Sequence, residues 1–483
     1  MRHGSRAATS VTEPTAKPAK GQKINVRLDA ARALTRIIGQ HRTIEWVRAE
    51  RPQWLQSPLH TQLLYGTLRH YLSLGEALHR HLRRPLKDKD LDLYHLMLVG
   101  TYQLKYTAIA EYAAISECVN GCKALGKPWA RGLVNGVLRT MQRDDNWRLD
   151  LAAVAALDHP PWLRSLIAKQ YPAEADDLMA ANNQRAPMTV RVNRSRVTPE
   201  DFRQKLDTAG FEYQQGPWPE ALTLDQPQLA SMLPGWDQGA CSVQDLSAQH
   251  AAHLMLSALQ TNTSAPLNIL DACAAPGGKL FHLREALADK GVAHRLFALD
   301  DKEKRLQDLE TIGARLGHTT YRYKPKHGLT GQAQANGAIG LLCIDGCSPN
   351  LPFDPPLDAI LLDAPCSGSG TIRRNPDIRL LITEASLLEQ QALQLRLLQN
   401  LWQHLVAGGT LVYSTCSVFA EENDQVIHSF LGATSDASAQ TPAQGYGQTT
   451  KYGWQMLPTD PLTDGFYYCL LRKQAVQDEA ANP

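Results

Sequence analysis

Two cysteines stand where a core cysteine would not. Cys366 follows Leu361-Leu362-Asp363-Ala364-Pro365, and Cys416 follows Leu411-Val412-Tyr413-Ser414-Thr415. In each case an apolar run of strand character stops, and the thiol comes just after it. A free cysteine is ordinarily a small buried filler inside such a run. Two at strand ends, near a glycine-rich loop, point instead to a thiolate working beside a bound cofactor. Cytosine chemistry needs such a group. C5 of the ring is a poor nucleophile until a thiolate adds at C6 and pushes electron density onto C5. These residues therefore predict cytosine C5-methylation.

The cofactor would sit on Leu270-Asp271-Ala272-Cys273-Ala274-Ala275-Pro276-Gly277-Gly278-Lys279, a strand running into a tight loop and a helix. Gly277 and Gly278 let a ligand approach the backbone, and amides at the helix start are free to donate. The loop is not of the phosphate-binding Walker type, because Leu280 stands where Ser or Thr would and position 273 is not glycine. Nor is it G-x-G-x-x-G, which argues against a nicotinamide cofactor. Asp300, at the end of the next strand, is placed to accept the ribose hydroxyls of an adenosine. S-adenosylmethionine is the cofactor that these residues predict. Asp345 would receive the adenine amino group, unless it serves only to form a turn.

These residues need an open α/β sheet to position them. From 236 to 475 the chain alternates strand and helix signals. Strands are expected at Leu267–Leu270, Leu296–Leu299, Gly340–Ile344, Ala359–Leu362, Thr410–Tyr413 and Phe466–Leu471, with helices over 278–288, 302–316, 384–406 and 421–431. That alternation predicts a doubly wound, mostly parallel sheet. The stretch 433–450 reads as a loop, from its Ser, Ala, Gln, Thr and Gly content.

Two further regions precede the sheet. Residues 1–22 lack periodicity and read as a disordered tail, as do residues 476–483 at the other end. Residues 23–150 are helical throughout: Val26, Ala30, Ala33, Leu34, Ile37 and Ile38 share one face, and helical segments follow near 58–80, 90–106, 111–124 and 130–142. Residues 151–235 read as linker helices and a small α/β platform. There Met188–Asn193 alternates as a strand, Thr198-Pro199 opens a helix, and Gly210 closes it.

The chain has 483 residues and a net charge of +2 that conceals an asymmetry. Residues 1–150 hold 24 Lys and Arg against 13 Asp and Glu, a surplus of 11 positive charges, which leaves the remainder at −9. A basic end on an acidic body suits a polyanionic partner. Nine scattered cysteines without metal-ligand spacing, no apolar span and no secretory leader predict a cytoplasmic protein with free thiols and no metal. Cys118 and Cys122, four apart on a helix, read as a packed face.

With these motifs placed, residues 24–473 resemble the bacterial RsmB (Fmu/Sun) family of S-adenosylmethionine-dependent enzymes, which make 5-methylcytosine in small-subunit ribosomal RNA. The resemblance rests on Cys273–Lys279, Asp363-Ala-Pro-Cys366-Ser, Arg373-Arg374-Asn375-Pro376-Asp377, and Ser414-Thr-Cys416-Ser with Glu421-Glu422-Asn423, in that order. Tyr65–Arg69, Val99–Leu104 and Gly132–Arg139 are similar to the NusB-type RNA-binding helical domain. Ala181–Arg185 and Val243–Gln249 extend the likeness through the middle. Departures are Leu280 for the usual Thr, Ile344-Asp345-Gly346-Cys347 for Gly-Asp-Gly-Arg, and a longer segment between Asp300 and Asp345.

A Pro-Cys pair, as in DNA cytosine methyltransferases, would nominate Cys366 as nucleophile. The RNA family implies Cys416, with Cys366 assisting release and Asp363 at the protonated N3; Lys279 would lower a thiol pKa or orient a catalytic group, unless it is a surface lysine at a helix start. The expected partner is small-subunit ribosomal RNA, bound by a monomer. Arg83 and Arg84 of the bundle would track phosphates, and Arg373 and Arg374 would hold the phosphate of the target nucleotide. Transfer RNA as the substrate, a protein or small-molecule methyltransferase, and a non-catalytic NusB-like RNA-binding factor are the rival readings.

Overall fold

A computed structural model describes residues 25–55, 57–148, 155–260, 265–323, 337–354, 356–440 and 447–474. The expected tails and the 324–336 part of the longer segment lie outside the described residues. Two compact units divide the chain, one built on the residues up to Thr67 with Leu74–Arg148, the other on Leu68–Ser73 with the residues from Leu149 onward.

The first unit is helical, as its periodicity predicts: α1 (Val26–Gln40), α2 (Ile44–Glu50), α3 (Pro58–Arg69), α4 (Tyr71–Arg80), α5 (Leu91–Tyr106), α6 (Glu111–Ala124) and α7 (Arg131–Arg143). The last turn of α3 and the start of α4 fall to the second unit. Asn25 caps α1, its side chain accepting from the amides of Arg27 and Leu28. Helix α5 is apolar nearly all round, with Leu93, Leu96, Met97, Leu98, Val99 and Leu104 buried, and it packs against α1, α6 and α7. Cys118 and Cys122 are buried on α6, as a packed face requires.

The second unit contains two sheets. The smaller is antiparallel, in the order β2 (Tyr213–Gln215), β3 (Ala221–Leu224), β1 (Met188–Val192), β4 (Cys241–Val243). Its helix, Pro199–Thr208, begins as the sequence predicts, with the Thr198 side chain accepting from Asp201 N. Phe202 and Leu206 of that helix bury against Val190, Val192 and Leu222. The fourth strand comes from beyond residue 235, where the sequence places the start of the larger domain.

The larger sheet has a parallel run β10 (Leu405–Thr415), β9 (Leu357–Asp363), β5 (Leu267–Ala272), β6 (His294–Asp300), β8 (Ile339–Cys343), β7 (Thr320–Arg322). Beyond β10 it continues antiparallel through β14 (Phe466–Lys473), β13 (Trp454–Met456) and β12 (Gln448–Thr449). Helices Leu246–Ala258 and Gly278–Asp289 cover one face, and Glu384–Gln403 with Asp424–Ala433 the other. The expected loop at 433–450 is corrected in part: β11 (Ala437–Gln440) pairs antiparallel with β14. It is a short polar edge strand without buried alternation, so composition alone hid it. The chain moves outward in both directions from β5 and β9, which makes their carboxyl ends the switch point where a ligand belongs. No helix among the described residues is long and apolar enough to cross a membrane.

Candidate active site

Register brings the strand ends together. Ser414 on β10 lies beside Asp363 on β9, and Ala364 N donates to Ser414 O across the gap at 2.9 Å. Two residues past Ser414 and three past Asp363 stand the thiols of Cys416 and Cys366, with their Sγ atoms 3.4 Å apart. Both are half-buried. The Cys416 interaction first, and then burial, push the Cys366 thiol well above its ordinary range. Cys366 is thus held as a thiol that can donate to Cys416.

The loop carrying Cys366 is fixed by groups that the sequence did not single out. Glu422, wholly buried, accepts from Ser367 N at 2.7 Å and Ser367 Oγ at 2.5 Å. Gly370 N donates to Cys416 O at 2.9 Å, and Gly370 O accepts from Gly465 N at 2.8 Å. A Cβ at Gly370 would fall 2.1 Å from Gly465 O, so only glycine fits that approach. Glu422 was visible in the Glu421-Glu422-Asn423 motif, but nothing in one sequence says that it reaches back to Ser367.

Lys279 Nζ meets Asp363 Oδ2 at 2.7 Å, and Ser414 Oγ donates to Asp363 Oδ1 at 3.0 Å. Burial opposes the ammonium, but Asp363 and then Cys416 outweigh it and raise the Lys279 pKa, so it is charged at neutral pH. Its cation also lies over the Phe466 ring, 4.8 Å from the centroid. The arrangement therefore joins two thiols, a carboxylate and a fixed cation at the ends of three neighbouring strands.

The cofactor loop leaves β5 at Cys273 (φ 64°) and turns at Gly277 (φ 103°), where a Cβ would lie 2.4 Å from Phe281. Ala274, Ala275 and Gly277 are buried, Pro276 is exposed, and Gly278 and Lys279 are intermediate. Asp300 is buried at the end of β6, accepting from Lys302 N at 3.2 Å and pairing with Arg305 at 3.2 Å. Arg305 also donates to Ala275 O at 2.7 Å, so it braces loop and acid together. Asp345, by contrast, is exposed two residues past the end of β8, and its carboxylate accepts from Cys347 N at 2.9 Å. That is the turn-forming role the sequence left open.

Asp271 provides the test of fit for an adenosyl sulfonium amino acid. It is 1% exposed at the end of β5, and neither carboxyl oxygen has a hydrogen-bond partner. Burial, and then the negative charge of Asp363, push its pKa well up, against the pull of Lys279. An unpartnered buried carboxyl beside a loop bent for close approach suits a ligand that brings its own donors. The residues present fit the group.

Two expected RNA contacts are corrected. Arg373 is 1% exposed and donates to Asp464 Oδ1 at 2.8 Å, to Pro458 O at 3.3 Å, to Asp460 O at 3.4 Å and to Thr463 O. Arg374 bonds Asp464 Oδ2 at 2.8 Å, Asp245 Oδ2 at 3.0 Å and Pro187 O at 3.2 Å. Both guanidiniums are spent on internal carboxylates and carbonyls, pinning the segment before β14. Arg83 and Arg84 are exposed in the helical unit.

A sheet of this order, with a cofactor crevice at its switch point, defines a methyltransferase fold, and comparison with known proteins narrows the class. Residues 256–472 match the family model for 16S rRNA methyltransferase RsmB/F, residues 159–230 its ferredoxin-like domain, and residues 25–143 the NusB family. The ribosomal RNA small subunit methyltransferase B of Citrobacter koseri is 36% identical over 462 residues, covering 94% of this chain and all of the relative. That of Escherichia coli O17:K52:H18 is 35% identical, covering 93% and 99%. Among solved structures, PH0851 superposes with a TM-score of 0.74 at 21% identity, over 94% of this chain and all of that one. NSun6 from Pyrococcus horikoshii with SFG gives 0.55 at 19% identity, over 66% and 99%. These two support the fold. The chain belongs to the ribosomal RNA small subunit methyltransferase B family.

Proposed function

We propose that this protein methylates C5 of a cytosine in small-subunit ribosomal RNA, through a transient bond between Cys416 and C6 of the base. S-adenosylmethionine, when bound, supplies an electrophilic methyl group on a sulfonium. Asp271, Asp300 and the Cys273–Lys279 loop are the residues that would hold it. The target base must leave its stack to reach thiols set at the strand ends. Cys416 then adds to C6 as its thiol proton passes to N3, and Asp363, held by Lys279 and Ser414, accepts a hydrogen bond from that N3–H. Electron density moves to C5, which accepts the methyl group. Solvent then takes the C5 proton, the C5–H electron pair forms the C5=C6 double bond, and the C6–S pair leaves on Cys416, whose charge the Cys366 S–H stabilises.

The observation that carries this reading is the pair of thiols 3.4 Å apart beside an Asp363–Lys279 pair. Methyl transfer to oxygen or nitrogen needs no such couple. Arg83 and Arg84 support polyanion binding by the basic unit, in keeping with a large RNA. The test uses labelled S-adenosylmethionine with protein-free small-subunit RNA and, in parallel, transfer RNA. Cys416→Ala should abolish 5-methylcytosine, and Cys366→Ala should accumulate a protein–RNA adduct stable on a denaturing gel. Methyl incorporation that survives both substitutions sinks the covalent mechanism, and label in transfer RNA alone moves the substrate.

A further inference from the structure

Away from the strand-end thiols, Glu220, His253 and His282 converge from three separate segments. Glu220 lies just before β3, His253 on the helix Leu246–Ala258, and His282 on the helix Gly278–Asp289, one turn beyond Lys279. One ligand atom from each lies within 4.8 Å of the others. His253 Nε2 is 2.9 Å from Glu220 Oε1, and His282 Nε2 is 3.6 Å from the same oxygen. Four-coordinate zinc with ligands at about 2.0–2.1 Å places neighbouring donors about 3.3 Å apart, between these two distances.

Two further observations point to a ligand. Glu220 is 2% and His282 3% exposed, yet Glu220 Oε2 and His282 Nδ1 are buried atoms with no hydrogen-bond partner. A cavity of about 40 Å3 opens here, lined by all three residues, and that is room for an ion and a water. The ring of His253 is held by stacking on Trp218, with centroids 4.1 Å apart and planes 9° apart. Arg194 approaches the carboxylate's other oxygen: its Nη1 is 3.8 Å from Glu220 Oε2, while its Nη2 is 3.0 Å from Asp289, and Lys290 also lines the cavity. Oε1, between the two imidazoles, is left for a metal.

We propose that Glu220, His253 and His282 bind a divalent transition ion, zinc by ligand type, which ties the small sheet to the helix that begins at the cofactor loop. Two imidazoles and one carboxylate make a three-ligand set with an open fourth position. The sequence reading expected no metal, because the three ligands come from segments 29 or more residues apart and show no ligand spacing. The proposal does not depend on the methylation chemistry.

The test uses the full-length chain, stripped with a chelator, loaded with Zn2+ or Co2+ and dialysed. The wild type should retain one zinc per chain and melt at a higher temperature for it. The Co2+ form should show visible ligand-field bands of a low-coordinate nitrogen–oxygen site, without the near-ultraviolet sulfur-to-cobalt band that cysteine ligation gives. Glu220→Gln and His253→Phe, which keeps the stack on Trp218, should each weaken retention at least a hundredfold. Wild type that holds no zinc overturns the proposal and leaves a buried ion pair at this place. A sulfur-to-cobalt band, or retention unchanged in both variants, overturns it equally, by placing the metal on the cysteines. The wild-type spectrum decides between these even where a variant fails to fold.

Discussion

Cys366 Sγ stands 3.4 Å from Cys416 Sγ, within hydrogen-bonding distance for sulfur, at the ends of two parallel strands locked in register by Asp363 and Ser414. In the proposed mechanism the pairing would serve base release, because a thiol beside a departing thiolate lowers the charge that builds on it. It also sets a liability. Two sulfurs this close need only a small movement to reach the ~2.05 Å of a disulfide.

Dilute hydrogen peroxide should therefore inactivate the enzyme reversibly. Peroxide oxidises one thiol to a sulfenic acid, and the other displaces water to close a Cys366–Cys416 disulfide. Peptide mass mapping should find that cross-link with the loss of two hydrogens, and dithiothreitol should restore methyl transfer. Cys366→Ser should form no cross-link. A cross-link that joins other cysteines, or none at all at full inactivation, would contradict the geometry.

Asp271 should trade stability for cofactor affinity. Its folded pKa lies well above the ordinary 3.8, so above that value the unfolded chain gains charge that the folded chain resists, and stability falls as pH rises. Asp271→Asn removes that ionisation. Without cofactor, its unfolding midpoint at pH 7 should exceed that of the wild type. S-adenosylmethionine binding, measured by calorimetry, should weaken about tenfold or more, the scale of one lost charged hydrogen bond. A variant that binds normally would remove Asp271 from the cofactor's contacts.

Much of this site is local in sequence, and that part was legible. Cys273–Lys279 and Asp363–Cys366 each sit on one strand–loop, so strand ends predict where they project. The helices of the bundle were legible for the same reason, since 3.6-residue periodicity is set by near neighbours. What the sequence hid is set by distant pairing. The bond from Glu422 to Ser367 spans 55 residues, and the burial of Arg373 depends on Asp464, 91 residues on. An Arg-Arg pair after a catalytic loop reads as a phosphate clamp until its carboxylate partners are seen. Asp345 stayed open in the sequence, since its place after a strand suits adenine as well as a turn, and its carboxylate closes a turn on Cys347.

The Arg191–Glu285 pair should govern the acid limb of stability. Arg191 on β1 is fully buried and donates to Glu285 Oε1 at 3.1 Å and to Gly278 O at 2.7 Å, joining the small sheet to the cofactor helix. Burial alone would raise the Glu285 pKa. Arg191 and then His318 outweigh it, so the folded value lies below the ordinary 4.5. A depressed carboxylate stabilises fully above its unfolded pKa, and the gain is lost as pH falls through the folded value. Glu285→Gln should cost about 3–5 kcal/mol at pH 7, because it strands a buried guanidinium. Its denaturant-derived stability should also fall less steeply than that of wild type below about pH 4.5. Equal slopes would mean that other carboxylates carry the acid limb.

Arg373 and the Arg83–Arg84 pair should separate structure from RNA binding. Arg373→Met leaves Asp464 with Arg374 as its remaining cation and frees the Thr463, Pro458 and Asp460 carbonyls, so it should lower the melting temperature. At a temperature where it is folded, its RNA affinity and the dependence of that affinity on salt should match wild type. Arg83→Ala with Arg84→Ala touches exposed side chains and should leave melting within about 0.5 kcal/mol of wild type. If both contact phosphates, the slope of log K against log salt should fall by nearly one for each, and affinity at moderate salt should drop without change in the modified nucleotide. Filter binding across a salt series reads both quantities. A normal slope in the double variant would exclude this turn of the bundle from the RNA path, and a reduced slope in folded Arg373→Met would restore Arg373 as a phosphate contact.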